Sequence, residues 1–131
     1  MAVSKLTIAV DFDGTIVYHA YPKIEDADID SIPVLLDLQA AGHKLILFTM
    51  RSGAQLQEAV DWCKDQGLEF AHINENPSQK RWTKSPKVYA NLYIDDAALG
   101  IPLREDKELG PRPFVDWVQV ETLLIKQGIL S

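Results

Sequence analysis

Two aspartates stand two residues apart in Ile8-Ala-Val-Asp-Phe-Asp-Gly-Thr15, and two more stand side by side in Leu92-Tyr-Ile-Asp-Asp96. Residues i and i+2 on a strand point the same way, and a turn just past a strand end can also aim both carboxylates into one cavity. If Asp95 and Asp96 join Asp11 and Asp13, four carboxylates crowd a small volume. They cannot all stay ionised unless a positive charge offsets them. A hard divalent cation with oxygen ligands does this, and Mg²⁺ suits a site that must also hold phosphate and water. The pattern therefore predicts Mg²⁺ as cofactor, with Asp11, Asp13, Asp95 and Asp96 as the candidate metal residues.

The same residue types suit phosphoryl transfer. A carboxylate can attack phosphorus and form an acyl phosphate. A second carboxylate can protonate the leaving alcohol and then activate water. Gly14 and Thr15 follow at once, where backbone can approach a phosphate closely and N–H groups can bind its oxygens. A nearby threonine can contact the phosphate, and a nearby lysine can offset its charge. Arg51 is read either as a contact to a substrate anion or as a solvated surface charge.

These residues need elements to position them. Residues 5–10 form a short β-branched, apolar run that predicts a buried strand ending at Asp11. Residues 30–41 predict a helix, with Asp30 or Ser31 as cap, Pro33 in the first turn, Gly42 as stop and Ile32, Leu35, Leu36 and Gln39 on one face. Residues 44–48 predict a second strand. Residues 53–66 predict a second helix with Leu56, Ala59, Val60 and Cys63 inward and Gly67 as stop. A third strand is expected at 69–73, a surface loop or broken helix at 74–86, and a fourth strand at 91–94. Residues 100–113 are rich in Pro, Gly and charge. A last helix is expected at 114–127, with Phe114, Trp117, Val118 and Leu124 or Ile125 inward.

Alternating strands and helices predict an α/β fold: one Rossmann-like domain over 1–131, doubly wound around a mainly parallel sheet with helices on both faces. In such sheets ligands bind beyond the carboxyl ends of the strands. Asp11 and Asp13, Thr49 and Arg51, and Asp95 and Asp96 all follow strand ends. Three strands thus deliver polar groups to one edge.

Bulk properties narrow the options. The 131 residues are 47% hydrophobic, enough for one core without staples. A net charge of −6 with no long basic run predicts no nucleic-acid surface and disfavours anionic membranes. No apolar run is long enough to span a bilayer, and no export signal is evident. The single Cys63 agrees with a cytoplasmic location.

The segment Ile8-Ala-Val-Asp-Phe-Asp-Gly-Thr-Ile-Val17 resembles the first motif of the haloacid-dehalogenase-like (HAD-like) phosphatases, an apolar strand followed by Asp-x-Asp-Gly-Thr. Leu45-Ile-Leu-Phe-Thr49 is similar to the second motif, and Leu92-Tyr-Ile-Asp-Asp96 to the fourth. The resemblance covers about residues 5–100 and keeps the family's order. It implies that Asp11 is nucleophile and metal ligand, and that Asp13 is general acid/base with its backbone carbonyl on the metal. Thr49 would bind the phosphoryl oxygens. Asp95 would complete the ligands, and Asp96 would hold a metal-bound water. Lys87, in Lys87-Val-Tyr-Ala-Asn-Leu-Tyr-Ile-Asp-Asp96, resembles the third-motif lysine, with Lys84 and Lys80 in reserve. The family's dehalogenases lack an aspartate two after the nucleophile, so Asp13 favours phosphatase chemistry. Many relatives carry arginine after the paired aspartates, where this chain has Ala97.

Neither inter-motif gap has room for the cap domain that family members often insert. A capless phosphatase has an open site, which suits a large substrate or one covered by another subunit; the expected partners are a small-molecule or macromolecular phosphomonoester and a second copy in a homo-oligomer that covers the site. Residues 18–23 and 74–84 are the expected specificity elements. Two alternatives keep the same residues: a phosphotransferase, and a catalytically idle regulatory module that binds metal or phosphate. Aspartates at strand ends also serve as caps and turn residues, and Thr49 could cap the next helix. His19 and His72 have no partner at metal-ligand spacing and are read as structural; Cys63 is read as inert.

Overall fold

The computed structural model describes residues 4–131; the first three residues of the domain expected over 1–131 lie outside the described residues. Four strands form a parallel sheet: β1 (Thr7–Val10), β2 (Lys44–Leu47), β3 (His72–Ile73) and β4 (Leu92–Ile94). Their order is β3-β2-β1-β4. Val10 lies opposite Leu47 on one side and Ile94 on the other. The central β1 is therefore hemmed in on both edges. The chain residues that follow these three positions start at one level, so Asp11, Phe48 and Asp95 leave the sheet together.

Three helices flank the sheet: α1 (Ser31–Ala40), α2 (Gly53–Asp65) and α3 (Trp117–Lys126). Their buried residues Val34, Leu35, Leu38, Ala59, Cys63, Trp117, Val120 and Leu124 pack in one cluster with Ile8, Val10, Leu45, Leu47 and Ile94. Alternation sends Ala9, Ile46 and Tyr93 to the opposite face. That face is covered by the segment 76–90, which contains a short 3-10 helix (Pro77–Arg81). The Tyr93 hydroxyl donates to Val88 O and accepts from Ala90 N–H, and Gln79 braces the segment by donating to Ser85 O and Lys87 O. The architecture is thus α/β and Rossmann-like as expected, but of the helices expected on both faces the three α-helices gather on one, and the other carries only the short 3-10 helix.

Helix boundaries follow local chemistry. In α1 the buried stripe is Ser31, Val34, Leu35 and Leu38, whereas Ile32, Leu36 and Gln39 are half-buried. Asp30 takes a left-handed conformation at φ 68 and makes no side-chain cap bond. The Ser31 hydroxyl instead donates to Ile16 O at 2.6 Å, tying α1 to the loop after β1.

The last helix corrects the expectation most. Phe114–Val115 is not helical but a strand, β6, paired antiparallel with β5 (Leu103–Arg104). Asp116 then caps α3, accepting from Gln119 N–H at 3.2 Å. Phe114, Trp117 and Leu124 are buried as expected, and Val120 takes the inward place expected of Val118. Val118 and Ile125, both candidates for the core, are 63% and 47% exposed. The missed hairpin links residues 102–104 to the segment entering α3, a pairing that no local pattern announces. The third strand is also shorter than expected, with His72 and Ile73 in register with Ile46 and Leu47.

No helix among the described residues is long and apolar enough to cross a membrane.

Candidate active site

The turn after β1 is held tightly. Phe12 O accepts from the N–H groups of Thr15, Ile16 and Val17, and Gly14 N–H donates to Val17 O. From α3, the Trp117 Nε1–H donates to Thr15 O at 2.6 Å. Asp11 N–H donates to Ile94 O, which fixes the nucleophile candidate beside the end of β4.

Three carboxylates then meet. One oxygen each of Asp11, Asp95 and Asp96 lies within 4.8 Å of the others. Thr15 is the joint between them. Its hydroxyl donates to Asp11 Oδ2 at 3.0 Å and accepts from Asp96 N–H at 3.0 Å. Burial pushes the Asp11 carboxyl up to about 8, helped by the Asp95 charge and by contact with Asp96, while the Thr15 hydroxyl and the Phe12 backbone oppose the rise. Asp95 is raised too, first by burial and then by the charge of Asp96, with the Ala97 N–H opposing. Such a cluster holds protons that a divalent cation would displace. Its all-oxygen donor set fits a hard cation.

Asp13 stands apart from this trio. Arg51 donates to it twice, Nε to Oδ2 at 2.8 Å and Nη2 to Oδ1 at 2.7 Å. The guanidinium is 2% exposed and lies 5.0 Å from the Phe12 ring centroid and 5.2 Å from that of Tyr21. It also donates to Pro22 O, Lys23 O and Gln55 O. The bond to Asp13 is the main cause holding the Arg51 guanidinium above its usual range. Arg51 is therefore neither a solvated charge nor a free anion contact: it is a buried strut between Asp13 and the loop at 20–23.

Two more expectations change. Thr15 is fully buried with its hydroxyl engaged on both sides, so it positions carboxylates and cannot reach a phosphate. Gly14 is buried at φ 82, and a Cβ there would overlap the His19 ring and lie 2.6 Å from Asp96 Oδ2. Glycine is needed for that close approach, and its N–H is already bonded within the turn. Thr49 matches its expected place, lining the carboxylate cleft. Its hydroxyl oxygen accepts from Arg51 N–H at 3.1 Å, which leaves its proton for another acceptor.

The lysines lie elsewhere. Lys87 sits over the Tyr93 ring at 5.6 Å, in a hollow with Trp82 and Tyr89 on the covered-face side of the sheet. Lys80 and Lys84 line a different hollow. None of the three lines the cleft, which has a volume of about 490 Å³. Its walls instead include His19, Tyr21, Met50 and Arg112. His19 was expected to be structural; its Nε2 does bond Pro113 O at 3.0 Å, yet it also lies 3.5 Å from Asp96 Oδ2 at the cleft edge. Residues 18–23 had been expected to shape specificity, and that loop was the available signal for His19 and Tyr21. Nothing in the sequence signals Arg112, which reaches the cleft through the loop that precedes β6. Buried Cys63 is far from this chemistry in kind: burial pushes its thiol up to about 12.

No protein-family model matches the chain, and no curated protein does. Among solved structures, a conserved protein coded by a locus of Bacteroides thetaiotaomicron is similar, with 38% sequence identity and a TM-score of 0.74. The match covers 95% of this chain and 92% of that one.

Proposed function

We propose that this chain, which belongs to the same family as that conserved Bacteroides thetaiotaomicron protein, is a capless Mg²⁺-dependent phosphohydrolase of the HAD-like class. It would cleave a phosphomonoester through an aspartyl-phosphate on Asp11. The observation that carries this reading is the meeting of Asp11, Asp95 and Asp96 within 4.8 Å, at the carboxyl end of the sheet, with Asp13 on the same turn as Asp11.

Asp11, Asp95 and Asp96 would hold the cation. When bound, Mg²⁺ would supply positive charge that keeps Asp11 ionised and offsets the phosphoryl oxygens. Thr15 orients the Asp11 carboxylate through its 3.0 Å bond. An Asp11 oxygen attacks phosphorus, an acyl-phosphate bond forms and the ester P–O bond breaks. Asp13 delivers a proton to the departing alcohol. It then takes a proton from the water that attacks the aspartyl-phosphate, returning Asp11 and releasing phosphate. Arg51 holds both Asp13 oxygens in place, and each oxygen keeps a second lone pair that can carry the proton. The Thr49 hydroxyl is available to donate to a phosphoryl oxygen. The lone, buried Cys63 suits a reducing compartment, so the reading includes the cytoplasm.

Asp11→Asn should abolish hydrolysis of an aryl phosphate in Mg²⁺ while the circular dichroism spectrum stays that of the parent. Full turnover by this variant would sink the mechanism. One observation favours a second reading: both Asp13 oxygens are engaged by Arg51. That suits an idle metal-binding module. A metal-dependent rise in melting temperature with no hydrolysis across a broad phosphate panel would select it.

A further inference from the structure

A second hollow, also of about 490 Å³, is lined by residues from 74 to 88 that include Lys80, Thr83, Lys84 and Ser85. One backbone-to-side-chain hydrogen bond joins its lining to that of the carboxylate cleft. Asn74 lines the hollow, and its Oδ1 accepts from the backbone N–H of Thr49, a cleft residue, at 2.7 Å. Asn74 holds φ 55 at the end of β3, which aims its side chain back toward the turn after β2. Among the described residues neither Lys80 nor Lys84 forms an ion pair. Glu75 is the one acid in the lining.

Charge is distributed unevenly here. The chain has 19 Asp and Glu, yet none falls between Asn76 and Ile94, where Lys80, Arg81, Lys84 and Lys87 stand. In a protein of net charge −6, this segment carries four cations and no acid. Ammonium groups at the rim of a concave surface raise the local concentration of anions. The Thr83 and Ser85 hydroxyls add donors of the right kind for oxyanions.

The geometry points to a second anion subsite in this hollow, so that the molecule attacked in the cleft is a phosphomonoester carrying a further phosphate or carboxylate. This rests on the phosphohydrolase reading of the adjoining cleft. The first phosphate sits by Asp11 and Thr49, and the second anionic group crosses the Thr49–Asn74 link to Lys80 and Lys84.

The test is calorimetric binding to the 131-residue chain carrying Asp11→Asn, in Mg²⁺ at fixed ionic strength. The probes are a sugar monophosphate, the bisphosphate of that sugar and the corresponding phosphorylated sugar acid. One or both dianionic-plus probes should bind about tenfold tighter than the monophosphate, the order expected of charge-assisted contacts. K80Q/K84Q should reduce that preference to about twofold or less, with K80Q and K84Q singly intermediate. The bisphosphate and sugar-acid arms separate phosphate from carboxylate as the second group. No preference in the parent, or a preference that survives K80Q/K84Q, overturns the subsite. So does an equal loss for all three probes, which would make the lysines contacts of the first phosphate. Hydrolysis of the same three probes by the unmutated chain is a separate readout: lysine-dependent preference without turnover keeps the subsite and sinks the phosphohydrolase reading.

Discussion

The raised Asp11 carboxyl makes metal-free stability depend on pH in a way that one substitution should erase. In the folded chain Asp11 goes from an ordinary 3.8 to about 8, chiefly through burial. Between those values the native state keeps a proton that the unfolded chain has lost. The native state is therefore favoured at low pH, and this contribution is lost as pH rises from about 4 to about 8. At ~1.4 kcal/mol per pH unit, the ceiling is about 6 kcal/mol. The open cleft and proton sharing with Asp95 reduce this to about 2–3 kcal/mol. Asp11→Asn keeps the shape and an oxygen for the Thr15 hydroxyl but cannot ionise. In chelator at pH 8, the variant should melt about 10 °C above the parent, and at pH 4.5 the two should nearly coincide. Mg²⁺ should reverse the order at pH 8, because the parent alone presents three carboxylates. Thermal unfolding followed by circular dichroism reads all three conditions. Equal melting temperatures at pH 8 in chelator, or a less stable variant, would refute the account of a carboxyl raised by its burial.

Two further outcomes follow from the neighbouring residues. Arg51→Ala removes a buried guanidinium that serves Asp13 and three backbone carbonyls, so chemical denaturation should show a loss of about 3 kcal/mol, and Arg51→Lys should recover less than half because an ammonium cannot bond both Asp13 oxygens in a fork. Gly14→Ala should cost about 2–4 kcal/mol, through φ 82 and overlap with His19, and adding His19→Ala should restore part of the lost melting temperature by clearing the ring.

Much of the fold was legible because its signals are local. The apolar runs around Ile8, Leu45 and Leu92 became adjacent parallel strands, and Gly42 and Gly67 stand just past α1 and α2. Helical spacing found Ala59 and Cys63 as the buried pair of α2. The same spacing found Phe114, Trp117 and Leu124 buried but turned Val118 inward and began α3 too early, because the helix start depends on Phe114 and Val115 pairing with residues ten and more positions earlier. Likewise, residues 74–86 read as a surface loop or broken helix, and the short 3-10 helix fits the second reading, but nothing local shows that the segment covers one face of the sheet through Gln79 and Tyr93.

By itself, the sequence determined that acidic and hydroxyl side chains would gather at the carboxyl ends of the strands, since a strand followed by Asp-x-Asp-Gly-Thr or by Asp-Asp places those groups whatever the loops do. Only the tertiary structure decided how the four aspartates divide. Asp11, Asp95 and Asp96 share one small volume, while Asp13 turns to Arg51. The physical reason is that a side chain's direction past a strand end is set by its partners, and those partners lie far along the chain: Thr15 joins Asp96 across 81 positions, and Arg51 reaches Asp13 across 38. The lysines show the same limit, since the path of segment 76–90 over the far face of the sheet set Lys80 and Lys84 in one hollow and Lys87 in another, and none in the cleft.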